Sequence, residues 1–198
     1  MRTLKLLLLT LVLISAQGAL RAQNSDLAFL LGVTSPVAAT KAGGVDTASV
    51  GFSFAIDYAI QLKETRAGQL FLDLPVLIAL NSTDVSFPSA AVNSVATQVY
   101  FTPGVRWKFT PANRISFYAT GGAGIAGTAH GENVSTQTTA SSYLQGGVMF
   151  ALGAGAGVDF RLTRLLSVRA EGRDEITSAR ILGAYNHGFF MLGLGFHF

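Results

Sequence analysis

Charged side chains recur on one parity of otherwise apolar segments, and they are the first candidates for chemistry. They are Asp57, Asp73, Arg106, Lys108, Asp159, Arg161, Arg169, Glu171 and Arg173. A turn near residue 65 would bring Asp57 close to Asp73, and the next hairpin would bring Arg106 near Asp73. A turn near residue 163 would likewise place Asp159 near Arg169 and beside Glu171. We interpret these residues as ion-pair clusters that fill and rigidify an interior. The functional alternative is a gated polar path for protons or small ions.

Other motifs that resemble chemical sites lack the context that the chemistry needs. Gly122, Gly124 and Gly127 spell the dinucleotide fingerprint, but the polar stretch "TAHGENVSTQTT" follows where a helix would be required. The chain contains no cysteine, which excludes disulfides, thiolate metal sites and cysteine nucleophiles. The histidines lack metal-ligand spacing; they are His130, His187 and His197. The sequence therefore predicts no cofactor, no metal site and no catalytic residue.

The amino-terminal segment "MRTLKLLLLTLVLISAQGALRAQ" has the pattern of a secretory signal peptide: a basic start, an apolar run and small residues. A membrane anchor is the alternative, but the apolar run is shorter than the ~20 residues needed to span. We predict a signal peptide at 1–22, cleaved after Ala22 or alternatively after Gly18, and one domain at 23–198. Removal of the signal peptide takes away Arg2, Lys5 and Arg21. The number of Lys plus Arg residues thereby falls from 14 to 11 and equals the 11 Asp plus Glu residues. Nucleic-acid binding thereby loses its compositional support.

Strict alternation of apolar residues predicts eight β-strands and an all-β fold. The strands are expected at 26–34, 50–62, 69–80, 98–109, 114–127, 144–162, 165–174 and 188–198. Short turns, "KETRAG", "TPANR" and "LTR", alternate with longer and mostly polar connections. An antiparallel up-and-down barrel sorts its connections in this way, and strands of this length suit a membrane. Asp174 has the outward parity, so the membrane part of strand seven is expected to end before it.

Aromatic residues on the apolar parity form two levels, as expected for the two interfaces of a membrane. The level near the short turns comprises Phe29, Tyr58, Trp107, Phe109, Phe117, Phe160 and Phe198, and the level near the long loops comprises Phe52, Phe101, Phe150 and Phe190. Phe150 and Phe160 are ten residues apart, which corresponds to about 25 Å along the membrane normal for a strand tilted by ~40°. The apolar face is therefore predicted to meet lipid. A soluble lipocalin-like barrel, the alternative fold, would instead turn its charges outward.

The last strand, "FFMLGLGFHF", carries the sharpest resemblance to a known family. Large apolar residues alternate up to the terminal aromatic: Phe190, Leu192, Leu194, Phe196 and Phe198. The chain resembles the small eight-stranded outer-membrane β-barrels of the OmpA/OmpX type over residues 24–198. In that family this ending is the sorting signal read by the barrel-insertion machinery, after periplasmic chaperones have delivered the chain. The resemblance implies the outer membrane of a Gram-negative-type bacterium, with both termini in the periplasm.

Three functions are compatible with these observations. The leading one is a structural or interaction barrel in outer-membrane lipid, which is not an enzyme and displays four loops for envelope integrity, adhesion or contact with an unidentified extracellular ligand. The second is a narrow passive transport barrel for small or apolar solutes. The third is a lipid-modifying enzyme, since some outer-membrane lipid hydrolases place a catalytic histidine near the outer rim, where His187 is expected. No serine and acid near His187 in the sequence complete such a site.

Overall fold

A computed structural model describes residues 25–36, 51–87, 90–136, 140–179 and 183–198. The predicted signal peptide and its cleavage site lie outside these residues. The described residues form nine β-strands: β1 (Ser25–Pro36), β2 (Gly51–Thr65), β3 (Gly68–Phe87), β4 (Ala90–Phe101), β5 (Gly104–Ala112), β6 (Ile115–Thr136), β7 (Ala140–Arg161), β8 (Leu166–Ala179) and β9 (Gly183–His197). No helix among them is long and apolar enough to cross a membrane.

The strands close into one antiparallel barrel in which β4 and β5 share a single wall position. Both segments pair with β3 on one side and with β6 on the other. Thr102 and Pro103 separate them, because proline has no N–H to donate to a ladder. The Pro103 carbonyl still accepts a hydrogen bond from Ala123 N at 3.1 Å. The predicted eight-stranded barrel is therefore confirmed, with one strand interrupted.

The register fixes the size of the barrel. From Asp26 of β1, successive paired residues lead through Ala59, Asp73, Gly104, Gly122, Gly153, Glu175 and His187 to Pro36, also on β1. One circuit therefore shifts the register by ten residues, which requires strands tilted to the barrel axis. Eight tilted strands leave an interior just wide enough for side chains to fill.

The barrel is taller on the side of the long connections than the sequence indicated. The pairing of β3 with β4 continues to Phe87 and Ala90, and that of β6 with β7 continues to Ser135 and Ala140. The sequence placed polar loops there, because apolar alternation ends near residues 80 and 127. Backbone pairing needs no apolar face, so the hairpins extend where the side-chain pattern has stopped. Strand β8 also continues past Asp174 to Ala179.

The two faces of the wall have opposite chemistry. Large apolar side chains on the outside are widely exposed; Val148 and Phe190, for example, are 76% and 72% exposed. Charged side chains such as Arg106 and Arg169 lie fully buried on the inside. This distribution is the reverse of a soluble lipocalin-like barrel, and that alternative is wrong.

Candidate functional site

Arg106 stands at the centre of a charged network in the lumen. It extends inward from β5, and its Nη2 donates to Asp57 Oδ2 of β2 and, at 2.5 Å, to Asp73 Oδ1 of β3. Thr120 of β6 also donates to Asp73, at 2.6 Å. All three charged groups are fully buried, because odd positions of β2 and β3 and even positions of β5 face the interior. The two carboxylates thus come together around one guanidinium.

A second group of charges lies on β7 and β8, next to the first. Arg169 forms a bidentate salt bridge with Asp159, in which Nε lies 2.6 Å from Oδ1 and Nη2 lies 3.0 Å from Oδ2. These two residues face each other directly in the β7–β8 register. Lys108 Nζ joins Asp159, at 2.9 Å, to Asp26, at 2.8 Å. Such charge-assisted contacts fix the relative positions of four strands.

Tyr118 lies between the two groups and connects them. Its ring centroid is 4.8 Å from the guanidinium carbon of Arg106 and 4.9 Å from that of Arg169, in cation–π geometry. Its hydroxyl donates to Glu171 at 2.6 Å. Glycine at position 157 makes this possible, since a Cβ there would overlap the Tyr118 ring. Gly157 of β7 therefore leaves the space that the side chain of its partner Tyr118 on β6 occupies.

The network continues towards the long loops through Arg173. Its Nε donates to Glu171 at 2.8 Å, and its guanidinium lies 3.5 Å from Asp73 and 3.9 Å from Glu175. Glu175 in turn accepts a hydrogen bond from Thr102 at 3.0 Å. Glu175 was missed in the sequence, because strand seven was expected to end at residue 174.

Eight of the nine charged residues predicted for the lumen thus come together. The exception is Arg161, which is partly exposed and whose Nε has no hydrogen-bond partner among the described residues. The buried network contains six carboxyl groups and four cationic groups; these are Asp26, Asp57, Asp73, Asp159, Glu171 and Glu175, with Arg106, Lys108, Arg169 and Arg173. Every one of the cations contacts at least one carboxylate.

An apolar cluster packs across the lumen on the long-loop side of this network. It contains Leu30, Leu77, Tyr100, Phe189 and Met191, all at most 2% exposed. Tyr100 and Phe189 pack edge to face, with ring centroids 5.7 Å apart. Among the described side chains, the lumen therefore holds charged pairs near the short turns and apolar side chains above them.

A hydrogen-bonded chain of Ser167, His197 and Asp26 lies at the short-turn end of the lumen. His197 Nδ1 is 2.6 Å from Asp26 Oδ1, and His197 Nε2 is 2.9 Å from Ser167 Oγ. With the proton on Nδ1, the imidazole donates to Asp26 and accepts from the serine hydroxyl. This is the connectivity of a Ser–His–Asp triad. No sequence pattern indicated this chain of residues, because 171 positions separate Asp26 from His197.

Other requirements of a serine nucleophile are absent from the described part of this site. Ser167 is fully buried, so its Oγ offers no room to a substrate carbonyl. It is the second residue of β8 and is paired with Arg161 on one side and Gly195 on the other, rather than lying on a sharp turn with free N–H groups. Asp26 also binds Lys108. The hydrogen-bonded chain joins β1, β8 and β9 where the barrel closes.

The other singled-out residues take unremarkable positions. Gly122, Gly124 and Gly127 lie inside β6, and no helix follows them in the described residues. His187 is buried beside Tyr100, with ring centroids 6.1 Å apart. His130 belongs to β6, and its side chain lies outside the described set. No group of three or more potential ligands within the described ranges has the geometry to hold a metal ion.

The aromatic residues assigned to the two levels all lie on the outward parity. Exposure is 40–72% for Phe29, Phe52, Phe101, Trp107, Phe109, Phe117, Phe150, Phe160, Phe190 and Phe198, while Tyr58 is partly exposed. Phe101 pairs with Ile125, which pairs with Phe150. Phe109 pairs with Phe117, whose partner Val158 is two residues from Phe160. The register thus places outward aromatic rings at two separate levels of the wall.

The last strand places its alternating apolar residues on the outer face. Leu192, Leu194 and Phe198 are 64%, 45% and 58% exposed, and Phe196 packs edge to face against Phe29 with ring centroids 6.2 Å apart. The terminal residue is tied into the sheet, because Phe198 N donates to Ser25 O at 2.9 Å and Ser25 N to Phe198 O at 3.2 Å. The seam between first and last strands is therefore closed to its end.

Comparison with known proteins gives one family and several similar structures. A family model described as "Outer membrane protein beta-barrel domain" matches residues 6–198. The outer membrane protease OmpT from Escherichia coli is 11% identical with a TM-score of 0.56, over 89% of this chain and 97% of that chain. Neisserial surface protein A is 13% identical with a TM-score of 0.53, over 89% and 97%. The attachment invasion locus protein Ail of Yersinia pestis is 18% identical with a TM-score of 0.48, over 88% and 99%.

A search of curated proteins gives no match. The likenesses to OmpT and Neisserial surface protein A show a shared fold and nothing about a shared activity. The family match, in contrast, extends over nearly the whole chain and agrees with a closed eight-stranded barrel that is apolar outside and charged inside. The chain belongs to the outer membrane protein beta-barrel domain family, which is typical of the Gram-negative outer membrane.

Proposed function

We propose that this protein is a non-conducting outer-membrane barrel with a structural and interaction role, whose short turns and both termini face the periplasm. The observation that carries the proposal is the filled lumen. In the part of the lumen whose side chains the structure describes, paired charges lie towards the short turns and the cluster around Tyr100 and Phe189 lies towards the long loops. The side chains in such a lumen stabilise the wall of the barrel and leave no room for a solute. A binding function would then reside on the exposed outer surface and the loops.

The extended strands on the long-loop side support the interaction role. Strand β7 continues ten residues beyond Phe150, to Ala140, which corresponds to about 33 Å along the strand. Its pairing with β8 ends at Ala151 and Thr177, so within the described residues β8 does not cover the edge of β7 from 140 to 150. Exposed strand edges bind partners by adding a strand. These hairpins are the surface on which we place contact with an extracellular ligand.

Planar bilayer recordings test the closed lumen. We expect refolded protein of residues 23–198 to give no stable conductance steps, because water would have to displace both the ion pairs and the apolar cluster. Liposome swelling with small sugars should show no permeation either. Reproducible open steps that change when Arg169 is replaced by Ala would establish the transport function instead.

A second candidate function, hydrolysis of an acyl ester, is favoured by the Ser167–His197–Asp26 chain. In that reaction Ser167 Oγ would attack the acyl carbonyl while His197 Nε2 takes its proton and passes it to the departing alcohol as the ester bond breaks. Water would then hydrolyse the acyl-serine, which releases the carboxylic acid and restores the serine hydroxyl. Burial of Ser167 argues against it. We expect a fluorophosphonate probe to leave the refolded protein unlabelled. Labelling that disappears in Ser167→Ala would establish a serine hydrolase and overturn the purely structural role.

A further inference from the structure

Among the residues that the structure describes, the cations outside the lumen gather at the short-turn end of the barrel. Four are exposed on three different turns or strand ends, and a fifth is partly exposed; they are Lys63, Arg66, Arg114, Arg164 and Arg161. We call these five residues the basic rim. Glu64 is the only acidic side chain among the described residues of these turns. The buried network uses none of the five, so their charge is available to a partner.

Exposed apolar side chains alternate with the basic rim. Leu62 precedes Lys63 and is 56% exposed, while Leu162 and Leu165 flank Arg164 and are 52% and 62% exposed. Trp107, 42% exposed, lies against the first turn, where a Cβ on Gly68 would be 2.9 Å from its Nε1. Leucine and tryptophan side by side with lysine and arginine suit the boundary between hydrocarbon and headgroups.

We propose that the basic rim binds the phosphate headgroups of anionic phospholipids in the membrane leaflet on the short-turn side. The cations of the rim lie at or just beyond the ends of β2, β5 and β7, so they surround the barrel at the level below Phe109, Phe117 and Phe160. A leaflet offers a headgroup to each of the three turns, including the β5–β6 turn and the end of β7, which adjoin where Arg161 N donates to Arg114 O at 2.8 Å. Lysines and arginines near an anionic lipid surface are each attracted to it, and salt weakens that attraction.

The one tryptophan of the chain makes a local test possible. Refolded protein of residues 23–198 is placed in vesicles whose phosphatidylglycerol or phosphatidylcholine carries brominated acyl chains, and quenching of Trp107 reports which lipid lies beside the rim. We expect phosphatidylglycerol to be preferred about threefold at low salt, and the preference to vanish near 0.5 M salt.

Matched variants separate the rim from the net charge of the protein. Lys63→Gln/Arg66→Gln/Arg114→Gln/Arg164→Gln should lower the preference to about one, with the milder Arg114→Gln/Arg164→Gln intermediate. Lys41→Gln/Arg180→Gln, which alters cations of the long connections, should keep the wild-type preference. Far-UV circular dichroism and heat-modifiable gel migration confirm that each variant is folded.

Three results would overturn the proposal. The first is equal quenching by the two lipids in the wild type, and the second is an unchanged preference in the four-residue variant. The third is loss of the preference when inorganic phosphate replaces chloride at equal ionic strength, which would assign the rim to small anions. If the wild type shows no lipid preference but sediments with purified peptidoglycan, and the four-residue variant does not, the basic rim binds peptidoglycan instead.

Discussion

Replacing Arg106 by Leu should destabilise the folded barrel by about 3–5 kcal/mol, because it leaves Asp57 and Asp73 buried without their shared cation. Arg106 is fully buried, and its Nη2 contacts both carboxylates. Urea titration in lipid vesicles, followed by far-UV circular dichroism and heat-modifiable migration, measures the free energy of unfolding. Asn113→Leu is the control, since an exposed turn residue outside the basic rim should change stability by less than about 0.5 kcal/mol.

A compensating change tests whether the weakened pairing of the carboxylates is the cause. Without Arg106, Asp57 and Asp73 keep only the longer contacts to Arg169 and Arg173, at 3.4 and 3.5 Å. Arg106→Leu/Asp57→Asn should recover part of the lost stability, because it removes one of the two carboxylates that lost their closest cation. A penalty below about 1 kcal/mol for Arg106→Leu would show that water reaches the carboxylates. That result would contradict the filled lumen on which the proposed function depends.

Deletion of Phe198 should reduce the amount of folded protein in the outer membrane to a small fraction of the wild-type amount. Export and cleavage of the signal peptide should continue. The deletion removes the terminal residue of the proposed sorting signal and both backbone hydrogen bonds to Ser25. Cell fractionation and heat-modifiable migration measure the outcome. Phe117→Ala is the control, because it removes an aromatic side chain of similar exposure from the middle of the sequence.

Refolding in vitro separates the two contributions of Phe198. If the shortened chain refolds in detergent at the normal yield but fails to assemble in cells, the residue acts through the insertion machinery. If it fails in both, the loss of the seam to Ser25 is the cause. Normal outer-membrane yield and normal migration of the deletion variant would contradict the sorting signal.

The sequence by itself determined the barrel and the direction of its side chains. Side chains of a strand alternate between two faces, so a wall between lipid and a packed interior shows a period of two in any window. Phe150, Leu152, Val158 and Phe160 of β7 display that period without knowledge of a neighbour. Adjacent strands joined by short turns are equally local, which is why the proximity of Asp159 and Arg169 could be expected from a turn near residue 163.

The extent of the strands and the closure of the site were decided only by the tertiary structure. The hairpins of β3 with β4 and of β6 with β7 continue through polar residues, where backbone pairing alone holds the strands and no side-chain period marks it. The interruption at Pro103 is tolerated because the neighbouring strands remain paired on both sides.

The contacts among Asp26, Ser167 and His197 depend on how the first strand meets the last. Which inward residues share a level is set by the ten-residue shift around the closed barrel, and a different shift would bring other side chains together. The shift is the sum of the register offsets between all neighbouring strands of the barrel, so no single segment of the sequence determines it. The sequence pattern therefore shows which residues face inward, while only the closed register shows which of them meet.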